Sequence, residues 1–191
     1  GFAYLMSKHP IASLSDLRKS KVWIPEGNNV AAAAVSAFSV TPIPLPIRDV
    51  LVALQTNMID TVAGSGTGAL ALQWHTQVKY VTDLPLSYIY GIVAQEKRAF
   101  NKLSAGDQQL VREVMGRVNR DLDRINREDN IKAMEALRNQ GIEFIQPTEH
   151  AIAELKALIE PANQNLMKSG KLTPEMVQSM EHHLEDFRKG Q

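Results

Sequence analysis

No cysteine occurs anywhere in the chain, which excludes disulfides, thiol nucleophiles and cysteine-ligated zinc or iron–sulfur centres. Net charge is missing too: 21 lysines and arginines balance 21 aspartates and glutamates. No global field therefore draws in nucleic acid or an anionic membrane, and no basic cluster interleaved with aromatics supplies a local one. No stretch approaches the roughly eighteen uninterrupted apolar residues of a membrane span, so direct insertion is not expected. The opening GFAYLMSKHP lacks the basic start and apolar run of a signal peptide and reads like sequence from the middle of a protein. The histidines at 9, 75, 150, 182 and 183 show no metal-ligand spacing, and His182-His183 lies among acids on what reads as a solvated helix face. No metal is expected.

What remains is a globular chain of 191 residues, 44% of them hydrophobic, long enough for one large domain or two small ones. From Lys21 short β-type runs alternate with helical patterns: VWI, then AAAAVSAF, TPIPL, RDVLVALQ and MIDTVA. Such alternation predicts a parallel sheet with crossover helices. The runs at Val22 to Ile24, Pro42 to Leu45 and Ile59 to Ala63 are short and apolar, so they are expected in central positions. VKYVTD (78 to 83) and YIYGIVAQ (88 to 95) extend this sheet or leave it for another.

The second half changes character. From Ser104 to Pro147 there is no proline, and leucine and valine recur at helical spacing, predicting one helix over 104 to 139. Ser104 with Asp107 resembles a capping box, and Gly141 stands where a C-terminal cap belongs. A helix of that length is about three times the usual ~11 to 12 residues. Its apolar stripe runs Leu110, Val114, Val118, Leu122, Ile125; the next large apolar residues are Ile131, Met134 and Leu137. That six-residue jump rotates the buried face by about a third of a turn at ~100° per residue, so one helix is expected to serve two cores. The alternatives are a break near Asn126 to Asn130 or an extended arm. IEFIQ (142 to 146) predicts a strand. Helices follow over 148 to 169 and 173 to 189, the last with Thr173 as cap and Pro174 in first position.

Three places carry candidate chemistry. Gly64-Ser65-Gly66-Thr67-Gly68-Ala69 satisfies G-x-G-x-x-A, follows a predicted strand and precedes a helix, and Asp83 closes the next strand. This is either a dinucleotide fingerprint, with glycines letting backbone approach a pyrophosphate and Asp83 on a ribose, or a plain tight turn. A nucleophile elbow at Ser65 fails because Ala63 and Thr67 stand where glycines are required. Glu26-Gly27-Asn28-Asn29 ends the first of the parallel strands and either holds an oxygen-rich ligand or caps the following helix. Trp23 just before it lines a pocket or fills a core. The strand ends near Trp23 to Asn28, Pro44 to Pro46 and Gly64 to Thr67 are expected to converge on one side of the sheet, where open α/β sheets hold ligands.

Taken together, DLRKSKVWIPEG (16 to 27), TPIPLPIRDVLVALQTNMIDTV (41 to 62), VKYVTDL (78 to 84) and KLSAGDQQLVREV (102 to 114) resemble the solute-binding proteins of tripartite ATP-independent periplasmic (TRAP) transporters, dicarboxylate-binding type. The resemblance covers nearly the whole chain and implies an α/β, type II periplasmic-binding-protein-like architecture lacking most of its N-terminal lobe. Residues 1–103 would form the second lobe with a crossover strand near 85–95, residues 104–140 the inter-lobe helix, and 141–191 a strand and C-terminal helices. It implies a periplasmic, non-catalytic receptor without cofactor, whose partners are a small organic acid and the integral-membrane transporter subunits.

Two departures from the family pattern bear on the ligand. The arginine that clamps a ligand carboxylate in the family strand is replaced by Trp23, and an asparagine four residues past Asp60 is replaced by Gly64. These replacements predict a less polar or differently oriented acid, with Trp23, Glu26, Asn28, Pro44, Gly64, Ser65, Thr67 and Trp74 as ligand-binding residues. Gln73 and His75 are further pocket or hinge candidates, and a helix-core role for Trp74 is the alternative to its pocket role.

Overall fold

The computed structural model describes residues 1–169 and 173–190. A sheet of order β4-β1-β5-β6 is built from β1 (Phe2–Ser7), β4 (Thr61–Gly64), β5 (Tyr80–Tyr88) and β6 (Glu143–Ile145), and a second pairing joins β2 (Trp23–Pro25) to β3 (Ile43–Leu45). A parallel bridge between Val22 and Thr61 links the two. Strands β3, β2 and β4 thus run in one direction, as the alternation predicted. Between β4 and β5, however, lies β1, antiparallel to both, a strand the sequence reading did not identify.

The strand at 43–45 is not central. It pairs only with β2, and its prolines explain why. Ile43 N–H donates to the Val22 carbonyl at 2.8 Å, and the Leu45 carbonyl accepts from Glu26 at 3.3 Å, so the odd-numbered residues bond inward. Pro42, Pro44 and Pro46 alternate with them. Lacking N–H groups, they can close the outer edge but could not serve a further strand. Likewise 78–83 and 88–95 are not two strands. A single strand, β5, ends at Tyr88, whose partner is Phe2 at the start of β1. Of the crossover strand expected near 85–95, residues 85–88 belong to β5 and residues 89–95 lie outside regular structure.

The sheet buries both faces. Met6, Val62 and Val81 on one side join Trp23, Leu54, Ile59 and Trp74. On the other, Leu5 and Val22 pack with Leu14 and Leu17 of α1 (Leu14–Leu17). Helix α2 (Asn29–Ala37) covers this second face together with α7 (Glu149–Lys168). Helices α3 (Val50–Gln55) and α4 (Gly66–Ala71) serve the first face, where Val50, Ala53, Leu54 and Ala69 are buried. Helix α5 (Lys97–Phe100) leads into α6.

Helix α6 (Ala105–Asn139) is 35 residues long, roughly 52 Å at 1.5 Å per residue. Its ends are those read from the sequence. Ser104 Oγ accepts the Asp107 N–H at 3.1 Å. At the other end Gly141 adopts φ +83°, and the N–H groups of Gly141 and Ile142 return to the carbonyls of Arg138 and Leu137. This pair of hydrogen bonds with a left-handed glycine terminates the helix and places buried Ile142 on buried Leu137. No break occurs near Asn126 to Asn130; exposed pairs Arg127–Asp123 (2.9 Å) and Arg124–Glu128 (3.1 Å) run through that stretch.

Only the far end of α6 enters the core, through Ala133, Met134 and Leu137. Ile131, expected on that face, is exposed, and so is the whole stripe Leu110, Val114, Val118, Leu122 and Ile125. Helices α7 and α8 (Pro174–Lys189) start at Thr148 and Thr173, whose side chains accept from Ala151 and Met176. Of the expected segment 141–191, residues 170–172 and 191 lie outside the described residues.

Candidate functional site

Because β3, β2 and β4 are parallel, their carboxyl ends share one rim. This brings together Glu26 and Asn28 after β2, Pro44 on β3, and Gly64, Ser65 and Thr67 at the end of β4. Antiparallel β1 adds its start, and β5 adds its end. Phe2 meets Tyr88 edge to face at 5.0 Å, and Tyr88 meets Tyr90 at 5.0 Å. This aromatic step was not among the residues singled out from sequence. Its signal was the YIY alternation at 88 to 90, but its place on the rim depends on the missed strand β1.

Glu26, Asn28 and Pro44 are exposed at the rim, and Ser65 and Thr67 are half-buried. Asn28 caps α2: its Oδ1 accepts the Ala31 N–H at 3.0 Å. That leaves the amide NH2 without a partner among the described residues. Gly27 holds φ +76°, the left-handed turn that swings the chain from β2 into α2. Ser65 Oγ accepts the Gly68 N–H at 3.1 Å and pairs with Thr67 Oγ1 at 3.1 Å. Whichever hydroxyl donates in that pair, one of the two protons is left over. The rim therefore presents one hydroxyl donor, the two N–H donors of the Asn28 amide and the Glu26 carboxylate.

Trp23 and Trp74 are placed differently. Each is only 3% exposed, and their rings meet edge to face at 5.3 Å and 70°. Trp23 Nε1–H donates to the Leu45 carbonyl at 2.9 Å, a satisfied buried indole. A Cβ built on Gly64 would lie 3.1 Å from Cζ3 of Trp74. The bare glycine at 64 thus gives room to the indole of Trp74, which in turn packs on Trp23. The two departures from the family pattern form one packing unit with Trp74, and both indoles sit beneath the rim within the core.

The glycine run has a packing explanation as well. Gly64, Gly66 and Gly68 all keep negative φ. Gly66 is buried where α4 crosses α6: a Cβ there would meet Met134 Sδ at 2.8 Å and Ala133 Cβ at 3.3 Å. The glycine serves helix–helix approach. Asp83, the other half of the dinucleotide reading, lies on β5, separated from β4 by β1. It accepts from Gln146 Nε2 at 2.6 Å and faces Arg138 at 3.7 Å. In a dinucleotide site the acid ends the neighbouring strand, so the geometry does not assemble that site. Asp60 is structural: Oδ1 accepts the Lys21 N–H at 2.8 Å and the Thr61 hydroxyl at 2.9 Å, tying the starts of β2 and β4 together.

The family described as bacterial extracellular solute-binding protein, family 7, matches residues 1–169, and the chain belongs to it. A solute-binding protein of Verminephrobacter eiseniae is 27% identical over 185 residues, covering 94% of this chain and 53% of that protein. The ectoine/5-hydroxyectoine-binding periplasmic protein of Ruegeria pomeroyi is 30% identical over 111 residues, 58% of this chain and 32% of its own length. The crystal structure of a TRAP periplasmic solute binding protein from Desulfovibrio salexigens, with bound orotic acid, matches at a TM-score of 0.79 and 14% identity, over 95% of this chain and 59% of that one. At such identity the likeness is one of fold. The chain spans about half the length of the first of these relatives.

Proposed function

We propose that the chain forms the solute-holding lobe of a periplasmic receptor that takes up a small organic acid and hands it to the membrane subunits of a TRAP transporter, without catalysis. The observation that carries this reading is the shared rim: the ends of β2, β3 and β4 gather Glu26, Asn28, Pro44, Gly64, Ser65 and Thr67 on one edge of the sheet. In this reading the guest's carboxylate meets the spare hydroxyl proton of Ser65–Thr67 and the free amide of Asn28. Glu26 accepts from a hydroxyl or ammonium on the same guest. Trp23 and Trp74 act from below, holding the rim rather than touching polar atoms of the ligand.

The favoured ligand is a compact ring or short chain with one carboxylate, because the family's arginine clamp is replaced here by a buried indole. Ectoine and orotate, named for two of the similar proteins, are compact rings of this kind. The uncovered stripe of α6 supports a second lobe. Five apolar side chains, each worth about 1.5–3 kcal/mol when fully buried, make one face that no element of the described residues covers. A ligand bound between two lobes would favour their closed arrangement.

The test is mass spectrometry of small molecules that accompany the receptor containing this chain, followed by thermal shift with the acids found and with NAD. A carboxylate that copurifies and raises the melting temperature is expected. Stabilisation by NAD, with no acid effective, would overturn the receptor reading in favour of an oxidoreductase.

A further inference from the structure

A sizeable void opens on the face of the sheet that α2 and α7 cover. Helix α2 carries four alanines in succession, Ala31 to Ala34, and none of its residues is buried. It rides over the sheet without side chains long enough to fill the space below. The result is an open-mouthed cavity of about 410 Å³ between α2, α7, β2 and the end of β5. Ala31, Ala34 and Val35 line it from α2, Ile24 from β2, Leu86 from β5 and Leu155 from α7. Native interiors pack closely and hold few voids larger than a water molecule. A dry cavity of about 150 Å³ already accepts benzene, and ligand pockets begin at roughly 300 Å³.

Its polarity is lopsided. Among the lining residues the polar side chains are Ser87 and Lys156; Trp23 also borders the cavity, but its indole packs with Trp74 in the other core cluster and donates to Leu45. Lys156 is exposed, on the face of α7 that also presents Ile152, Leu155 and Ile159 to the cavity. It makes no ion pair or hydrogen bond among the described residues. Among the described residues no acidic side chain lines the cavity. An apolar chamber with one unpaired ammonium is complementary to a molecule with a hydrocarbon body and a single anionic head.

We propose that this cavity is a binding site for an apolar monocarboxylate, a medium-chain or aryl-substituted acid, whose hydrocarbon lies beneath α2 and whose carboxylate pairs with Lys156. The residues that line it are named from this chain's own sheet and helices, and the proposal does not rest on the receptor reading of the rim.

Isothermal titration of the 191-residue chain with butyrate, hexanoate, octanoate and 1-octanol tests it. Affinity should rise about fourfold per added methylene, and octanoate should bind several-fold more tightly than the uncharged alcohol. Lys156→Gln should erase the difference between acid and alcohol while leaving octanol binding unchanged. Ala34→Phe, which fills the chamber, should remove binding of both without lowering the melting temperature. Ala34→Leu serves the same purpose if the larger ring prevents folding, and should weaken both ligands by at least tenfold. No octanoate binding at millimolar concentration, affinity independent of chain length, or undiminished binding to the filled variants would each overturn the proposal. Polar acids that bind the rim would be unaffected by the filled variants, which keeps the two sites distinguishable.

Discussion

Replacing Gly66 by alanine separates the two explanations of the glycine run. If the glycine exists to let backbone approach a phosphate, an added methyl should cost the empty protein nothing. If it exists to let α4 cross α6, the methyl lands 2.8 Å from Met134 Sδ, 3.3 Å from Ala133 Cβ and 3.5 Å from Met134 Cγ. The thioether is flexible and can swing aside, but Ala133 is helix-bound and buried, so the helices must part by a few tenths of an ångström. Overpacking of this kind costs about 1–3 kcal/mol, and the alanine gains back only part of a ~1 kcal/mol helix-propensity difference at the first helical position. A net loss of about 1–2 kcal/mol corresponds to a fall of roughly 2–8 °C in melting temperature for a chain of this size.

Differential scanning calorimetry of Gly66→Ala, Met134→Ala and the double variant checks it. Met134→Ala alone should destabilise by about 2–5 kcal/mol through its cavity. In that background the alanine at 66 should cost at least 0.5 kcal/mol less, since the two sites touch. An unchanged or higher melting temperature for Gly66→Ala would refute the packing argument.

Two further predictions follow from single contacts. Trp23→Ala and Trp74→Ala should each cost about 3–5 kcal/mol, and the cycle between them should return a coupling of about 0.5–1.5 kcal/mol for the edge-to-face pair; additive losses in urea titrations would deny that the indoles pack as one unit. The Asp16 carboxyl is held below the usual carboxylate range, first by the Ser13 hydroxyl (2.7 Å) and then by the amides of Ala12 and Ser13, against the opposing effect of its slight burial. The native state therefore binds this proton less readily than the unfolded chain. The stabilisation is complete above the ordinary carboxylate range and lost as pH falls through the lower native value. Melting curves taken from about pH 5 downward should accordingly show the gap between wild type and Asp16→Asn narrowing toward acid, and a gap that widens would contradict the assignment.

Features set by neighbours in sequence were legible without coordinates. Both ends of α6 were, because a serine cap and a left-handed glycine act within one helical turn. So were the starts of α7 and α8 and the parallel run of β2, β3 and β4. What could not be read was set by distant partners. Phe2 to Ser7 forms an antiparallel strand between β4 and β5, and nothing local distinguishes such an insertion from an extended lead-in. The end of β5 at Tyr88 depends on where β1 supplies a partner, so the apolar run at 89 to 95 looked like strand and is not. Pro42, Pro44 and Pro46 did carry a local signal. Their alternation forbids a neighbour on one side, which the emphasis on apolar character overrode.

The candidate site divides along the same line. That a glycine was demanded at 66 was visible in the pattern; that the demand came from Met134, on a helix far along the chain, was not. The departures at 23 and 64 were equally visible as separate losses of polar side chains. In three dimensions they are coupled through a third residue. Trp74 stands where a side chain at 64 would project, and Trp23 closes against it from β2 with its N–H turned to Leu45. Restoring either polar residue alone would drive it into an indole, and Trp23→Arg would bury a guanidinium beside the Leu45 carbonyl, which already accepts the Glu26 N–H at 3.3 Å. Recovering a family-type carboxylate clamp would therefore require changes at 23, 64 and 74 together, and the less polar guest proposed above follows from that packing unit rather than from the loss of one charge.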